Sequence, residues 1–540
     1  MRLPRLAAAR CLRLFCWSLV GAGHLAVARA ALPPERVMIF VVDGLRPDVI
    51  SAENTPTLDR LRREGVNYLN AHSAFPTVTR VNAPVIVTGA HPQRTGITSN
   101  TLFERRINGG NPFNTGDAAN LWPFAEVRGG RMVQAPTLGE MLTGAGLAYL
   151  AISSGSTGQA ILLNSEVKRE TGAVINGAFE GGRRTAYPET TNVVVRARFG
   201  LKPMDEKADN LEWTERVLRE YVLTDIAPVV ILDWITEPDH TQHKEGVGAP
   251  ATLAAIRRAD ESIGKTLALL EKDGRLEHTA IIVTADHGFA AHEEGVAVTD
   301  AVVKAKLKQT PVSRDVVITA DSHSVQFFVD QRDPKKIRPL VEWLQQQPWV
   351  DAVFVDRDPP PPLKPLRGAR IAVEGWLPGT FSLQAIHLAP PEGRPDVVVT
   401  LPWRSERNAF GYPGRQTIMQ AKSGPITSNA SGHGGLSPWV VRTPLILWGG
   451  CFKPRTVIHA PAGNVDITPT VLALLGVKTV TEFDGRVLDE AFVGGTDEAK
   501  VPARREIFEV SNGRGFSAAL QISSVGRHRY IDQAWRLERR

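Results

Sequence analysis

Val37-Met38-Ile39-Phe40-Val41-Val42-Asp43-Gly44 is a run of six apolar residues that stops on a carboxylate and a glycine. A strand with one wet face alternates apolar and polar residues. An unbroken apolar run of this length fits a strand covered on both faces, as in a parallel sheet. The pattern recurs along the chain. Ala148-Tyr149-Leu150-Ala151-Ile152 leads into Ser153-Ser154-Gly155-Ser156, and Val229-Val230-Ile231-Leu232 precedes Glu237-Pro238-Asp239. Ala280-Ile281-Ile282-Val283-Thr284 precedes Asp286-His287, and Leu445-Ile446-Leu447-Trp448 is a fifth such run. Helical periods lie between them. Thr55-Pro56-Thr57 opens a helix over residues 58–63. Leu253, Ile256, Ile263, Leu267 and Leu270 share a face over residues 252–270, and residues 467–475 read as a third helix. This alternation predicts an α/β fold: a sandwich with a mostly parallel central sheet and helices on both faces.

The chain has 540 residues, 43% hydrophobic and 22% charged, which allows a large core and excludes general disorder. Over residues 315–396 the texture changes to strand (325–329), helix (337–346) and strand (352–355), followed by Pro359-Pro360-Pro361-Pro362. This predicts a smaller α+β subdomain over 315–396, set between core segments 31–314 and 397–540. Residues 104–132, rich in Gly, Asn and Arg, read as a long loop bordering a pocket.

Residues 1–30 stand apart. Arg2, Arg5, Arg10 and Arg13 precede an uncharged apolar stretch over 14–28, which ends in Ala28-Arg29-Ala30. That is the layout of a cleaved export signal, and the stretch is shorter than the roughly 18–20 residues of a membrane span. The expectation is a mature chain from Ala31, periplasmic or extracellular, with no stable membrane span. The formal net charge is +6, and the signal contributes five Arg and no acid, leaving about +1. The basicity therefore belongs to the signal and marks no nucleic-acid-binding face. Of Cys11, Cys16 and Cys451 only the last survives cleavage, so no intramolecular disulfide is available. Cys451, with no histidine near it in sequence, reads as a packed thiol.

Acids and histidines collect just past strand ends, where open α/β sheets bind ligands. Asp43 follows the first run. Asp239 and His243, four residues apart, share one side of a helical turn. Asp286 and His287 follow the 280–284 run, and His433 sits in Gly432-His433-Gly434-Gly435. Three Asp and three His suit two borderline metals such as zinc. His240, His292, His323 and His387 fit no such pattern and read as surface or core residues. In Phe75-Pro76-Thr77-Val78-Thr79-Arg80, Thr79 falls at a helix start. The bland role there is a cap. The chemical one is a hydroxyl nucleophile beside backbone N–H groups and the positive helix end, with Arg80 offering a charge-assisted contact to phosphate.

In these residues the chain resembles the alkaline phosphatase superfamily, and within it the type I phosphodiesterase/nucleotide pyrophosphatase family. The motifs that carry the resemblance occur in family order. They are Val42-Asp43-Gly44, Phe75-Pro76-Thr77-x-Thr79, Thr88-Gly89-x-His91-Pro92, Gly96-Ile97-x-x-Asn100, Glu237-Pro238-Asp239-x-x-x-His243, Thr284-Ala285-Asp286-His287-Gly288 and Gly432-His433-Gly434. The resemblance implies that Thr79 is the nucleophile and bridges two zinc ions. Asp43, Asp286 and His287 would hold one, and Asp239, His243 and His433 the other. Asn100 would bond a phosphate oxygen, and a phospho-threonine would form on Thr79 by transfer from a small-molecule phosphate ester.

Two departures bear on substrate. Nucleotide-cleaving members carry an aromatic residue after the nucleophile, where this chain has Arg80. Related threonine-based monoesterases carry a Lys-x-Arg pair after the strand equivalent to residues 148–152, where this chain has Ser153-Ser154-Gly155-Ser156. The reading is a diesterase. The alternative is a phosphomonoesterase or phosphonate hydrolase on the same site. A sulfatase is disfavoured, because Cys451-Phe452-Lys453-Pro454-Arg455 has the wrong spacing and position. A binding protein that has lost catalysis would lack a ligand or the nucleophile, and none is missing.

Overall fold

The computed structural model describes residues 33–202, 210–360 and 373–537. The expected export signal over 1–30, and Ala31, lie outside the described residues, as do Pro361 and Pro362. Nine strands form the central sheet: β1 (Arg36–Val42), β2 (Val66–Tyr68), β3 (Tyr149–Ser153), β4 (Ala173–Ala178), β5 (Arg184–Tyr187), β6 (Val230–Ile235), β7 (Thr279–Thr284), β8 (Leu445–Trp448) and β9 (Thr456–Ile458). Their order is β9-β2-β8-β7-β1-β6-β3-β4-β5. β7, β1, β6, β3 and β4 are mutually parallel, and β8 and β5 join antiparallel on either side.

The unbroken apolar runs have the expected cause. In β1, Val37, Ile39 and Val41 enter one core, while Met38, Phe40 and Val42 enter another on the opposite face. β7 divides the same way, with Ala280 and Ile282 on one side and Ile281 and Val283 on the other. With a period of two and both faces covered, both sets of alternating positions in these runs are apolar.

Four helices flank the edge where the candidate residues gather or cover the sheet behind it: α1 (Pro56–Glu64), α2 (Thr79–Thr88), α3 (Asp239–Glu245) and α4 (Pro250–Lys272). α2 presses Ala83, Ile86 and Val87 on the first face. α1 and α4 cover the second with Leu58, Leu61, Ile256, Ile263, Leu267 and Leu270. Asp260 of α4 accepts from the backbone N–H groups of Thr57 and Leu58, at 3.0 and 2.8 Å, and so caps the first turn of α1 from outside.

A separate five-stranded sheet is built from Val316–Ala320, Ser324–Val329, Val397–Thr400, Ala352–Val355 and Phe381–Ser382, in that spatial order, with helix Pro334–Leu344 beside it. Its central strand, Val397–Thr400, lies just outside the 315–396 segment. The segment expected as a loop over 104–132 is only partly one. Phe113–Asn114 pairs with Thr101–Leu102, and Ala118–Val127 is an α-helix. The Asp117 side chain caps that helix by accepting from Ala119 N at 2.9 Å, while Leu121, Phe124 and Ala125 are buried. One cap and one apolar face outweigh the Gly- and Asn-rich flanks. The C-terminal residues form an antiparallel three-stranded sheet, Ala503–Ser511, Ser517–Val525 and His528–Arg536.

Candidate metal centre and nucleophile

Because β7, β1 and β6 are parallel neighbours, their C-terminal ends meet at one edge. Asp43 leaves β1, Asp286 and His287 follow β7, and Asp239 opens α3 after β6. The backbone holds them in register: Asp43 N donates to Ile235 O at 2.9 Å, and Asp239 N to Asp43 O at 3.1 Å. Asp43 and Gly44 form a tight turn. Gly44 has φ +71°, and a Cβ there would lie 2.4 Å from the Phe289 ring, so only glycine fits.

Two sets of ligand atoms each lie within 4.8 Å of one another: Asp43, Asp286 and His287, and Asp239, His287 and His433. His243 adjoins the second, with its Nε2 3.4 Å from Asp239 Oδ1 and 3.2 Å from His433 Nε2. The expected partition is matched only in part, because His287 belongs to both groups and His243 stands beside the second rather than within it. The His287 and His433 rings stack at 3.5 Å, and Phe289 packs against both and against His243.

The donor chemistry fits divalent cations. Each imidazole has its Nδ1 next to a backbone carbonyl: His433 to Thr77 O at 2.9 Å, His243 to Ser431 O at 3.1 Å and His287 to Gly288 O at 3.1 Å. With Nδ1–H donated in this way, each Nε2 turns a lone pair toward the carboxylates. Asp43 Oδ1, Asp239 Oδ1 and Asp286 Oδ2 are buried with no hydrogen-bond partner. Lone pairs facing lone pairs in a dry site call for a cation.

The electrostatics agree. Burial, then Asp286 and Asp239, push the Asp43 carboxyl well above the usual range, although Trp234 Nε1 donates to its Oδ2 at 2.9 Å. Burial and the neighbouring His287 bring His433 down to about 4, which keeps it neutral at pH 7.

Thr79 is the first residue of α2, after Val78 in extended conformation. Its Oγ1 lies 3.3 Å from His287 Nε2. Asn82, one turn on, clamps the preceding segment: it accepts from Ala74 N at 2.9 Å and donates to Ala74 O and Val78 O. Asn100 Oδ1 accepts from Arg80 N at 3.1 Å. The Arg80 side chain donates to Thr115 Oγ1 and Asn114 Oδ1, both neutral. All nine residues singled out in the sequence therefore meet at this edge. His240 is exposed, and His292, His323 and His387 stand outside the two ligand groups. Cys451 is buried, and burial pushes its thiol up to about 12.

Sequence reasoning missed Trp234, Phe289 and Asp321. Asp321 Oδ1 accepts from Ser99 Oγ and Asn100 N, each at 3.0 Å. Only Trp234 left a signal, as a polar-tipped aromatic beside Asp233 in a strand that is otherwise aliphatic.

A twisted, mostly parallel sheet covered on both faces, with carboxylates, imidazoles and a helix-start hydroxyl at one edge, defines the alkaline-phosphatase-like class of α/β proteins. Comparison with known proteins places the chain within it. Residues 37–338, more than half of the 540, match the model of the type I phosphodiesterase/nucleotide pyrophosphatase family. The chain belongs to that family.

A Schizosaccharomyces pombe protein described as an uncharacterized pyrophosphatase/phosphodiesterase is 26% identical over 258 residues, 47% of this chain and 44% of its own length. Ectonucleotide pyrophosphatase/phosphodiesterase family member 3 of Mus musculus is 22% identical over 48% of this chain and 25% of its own. The chain thus spans between a quarter and under half of the length of these relatives. The alkaline phosphatase PhoK of a Sphingomonas species is 23% identical over 87% of this chain and 93% of its own. Among solved structures, murine ectonucleotide pyrophosphatase/phosphodiesterase 5 superposes with a TM-score of 0.55 at 14% identity, covering 82% of this chain and 96% of its own. Among the described residues, no helix is long and apolar enough to cross a membrane.

Proposed function

We propose that the chain is an exported phosphoric-ester hydrolase that works through a phospho-threonine on Thr79 and depends on two divalent cations, zinc by donor type. Asp43, Asp286 and His287 would hold one, and Asp239, His243 and His433 the other, with Thr79 between them. Bound there, the cations would neutralise phosphate charge and acidify the Thr79 hydroxyl. The chain's own groups do the rest. Thr79 Oγ1 attacks phosphorus as its hydroxyl proton passes to solvent, and the P–O ester bond breaks with its electron pair leaving on the ester oxygen, forming the phospho-threonine. Water then attacks the same phosphorus, returning the hydroxyl and releasing phosphate or a monoester. The positive end of α2 and the Asn100 Nδ2 donors stabilise the phosphoryl oxygens.

The observation that carries this reading is the meeting of three unpartnered buried carboxylate oxygens with imidazoles whose Nδ1 atoms are engaged, one of them 3.3 Å from Thr79 Oγ1. Family membership favours a phosphodiesterase or nucleotide pyrophosphatase. A monoesterase is the second reading. It draws on the near-full-length similarity to PhoK and on Arg80, whose described side-chain hydrogen-bond partners are neutral and which would bring a cation to a phosphate dianion.

The test is hydrolysis of bis-p-nitrophenyl phosphate against p-nitrophenyl phosphate by the zinc-loaded chain, with Thr79→Ala as control. A higher kcat/KM on the diester, abolished in Thr79→Ala, supports the first reading. A monoester preference transfers the assignment to the second. Undiminished activity in Thr79→Ala sinks both.

A further inference from the structure

The five-stranded sheet sends one hairpin tip toward the site. Val316–Ala320 and Ser324–Val329 pair antiparallel, and residues 321–323 turn between them, with Asp321 N donating to Ser324 O at 3.0 Å. The tip lodges between two turns of the candidate site. On one side, Gly434, the neighbour of His433, has φ +111°, and a Cβ there would fall 1.9 Å from Asp321 O. On the other, Asp321 Oδ1 takes the Asn100 backbone N–H and the Ser99 hydroxyl, each at 3.0 Å, while Ser99 Oγ itself accepts from Thr101 N. One carboxylate oxygen thereby pins three consecutive residues.

Asn100 is the residue whose orientation matters. Its Oδ1 is engaged by Arg80 N, at the first turn of α2. With the acceptor end of the amide so fixed, its two Nδ2 donors are the ones left for a phosphate oxygen. The remaining oxygen of Asp321, Oδ2, is buried and unpartnered, and Arg80 is the cation that pulls on this carboxyl. Asp321 stands 221 residues from Asn100 in sequence, on an element that contributes none of the proposed metal ligands.

We propose that Asp321 is a positioning residue for phosphate binding, holding the 99–101 turn so that the Asn100 carboxamide faces the phosphoryl group beside Thr79. The inserted sheet would then tune affinity for the phosphoryl group as well as shaping the pocket. This rests on the phosphoryl-transfer function proposed for the site.

The experiment uses the full zinc-loaded chain and four variants: Asp321→Ala, Asp321→Asn, Asn100→Ala and the Asn100→Ala/Asp321→Ala double. KM and kcat on the preferred nitrophenyl ester, the inhibition constant of inorganic phosphate, and bound zinc are measured for each. A charge-assisted bond that orders a ligand-binding group is worth roughly ten-fold in affinity. Asp321→Ala should weaken phosphate inhibition and raise KM by about that factor, with a smaller change in kcat and unchanged zinc. Asp321→Asn, which keeps an oxygen for both bonds, should recover most of the loss. The double variant should be no worse than Asn100→Ala, because one residue acts through the other.

Phosphate inhibition within two-fold of wild type in Asp321→Ala, when Asn100→Ala is impaired, overturns the proposal and leaves the function reading standing. So do additive losses in the double variant, or zinc loss in Asp321→Ala. If Asn100→Ala itself is unimpaired, the proposal falls together with the role given to Asn100. Should Asp321→Ala fail to fold, Asp321→Ser carries the same comparison.

Discussion

Replacing Asp43 with Asn should strengthen the metal-free protein and weaken the metal-loaded one. Asp43 and Asp286 bring ligand oxygens within 4.8 Å of each other, buried at the ends of neighbouring strands. Two unit charges at that distance repel by about 3.5 kcal/mol at an effective dielectric of about 20. Asp239 adds to the repulsion on Asp43. Asn at this position keeps an oxygen to accept from Trp234 Nε1, has nearly the same volume, and removes one of the charges. Without metal, the substitution relieves repulsion at no cost in packing. With metal, it removes a ligand. A ligand present at a thousand times its dissociation constant adds about 4 kcal/mol to the folded state, and that gain is what the variant gives up. Thermal melts at pH 8.5, in EDTA and in excess zinc, give the four numbers needed. The expectation is a higher midpoint for Asp43→Asn than for wild type in EDTA, and the reverse order in zinc. A variant that melts below wild type in EDTA would refute the reasoning, because Asp43 would then be an ordinary hydrogen-bonded core residue.

Two further predictions concern groups away from the centre. Burial pushes the Asp351 carboxyl up to about 7, although it accepts from Arg536 N at 2.7 Å. A folded value above the unfolded one means that the folded state holds the proton more tightly, so stability is lost as pH rises from about 4 to about 7. Asp351→Asn keeps the acceptor and abolishes the titration. Its melting midpoint should match wild type near pH 4 and exceed it increasingly up to pH 7, by an amount that corresponds to at most about 4 kcal/mol; a constant difference across that range would count against it. Cys451, buried with its thiol near 12, should ignore Ellman's reagent at pH 8 in native protein lacking residues 1–30 and react on unfolding. Rapid native labelling would show it exposed.

Much of the fold and site is legible in the letters, for a physical reason. A buried parallel strand has no polar face, so its sequence is largely an apolar run. In β1 and β7 the first charged residue after it lies at or just past the strand's C-terminal end, whereas in β6 the buried Asp233 interrupts the run two residues early. Asp43 and the Asp286-His287 pair stand out that way, and Asp239 and His243 by their spacing on one turn of α3. What escapes depends on distant packing. Trp234 reaches Asp43 because β6 pairs with β1 in the register Val41 with Trp234, and no pattern within β6 encodes that register. Asp321 follows a strand and looks like any turn-forming aspartate; its use comes from a hairpin tip meeting a turn 221 residues away. Helix Ala118–Val127 is hidden by Gly- and Asn-rich flanks, whose turn signal is stronger than its single cap.

Sheet order also decides whether such a centre is possible. β1 lies between β7 and β6, and each of the three strand ends delivers a carboxylate to the same few ångströms. If β3 lay beside β1 in place of β6, Asp239 would sit a strand spacing, about 5 Å, further away, and one ligand set would lose its carboxylate. That convergence is costly in the bare protein, because three buried oxygens lack partners and like charges crowd together. Apolar side chains there would be cheaper by several kcal/mol. The chain tolerates the arrangement because β1, β6 and β7 are fully packed on both faces, so the backbone that aims the carboxylates does not relax to separate them. The sheet holds the charges in place, and metal binding would relieve the strain they create.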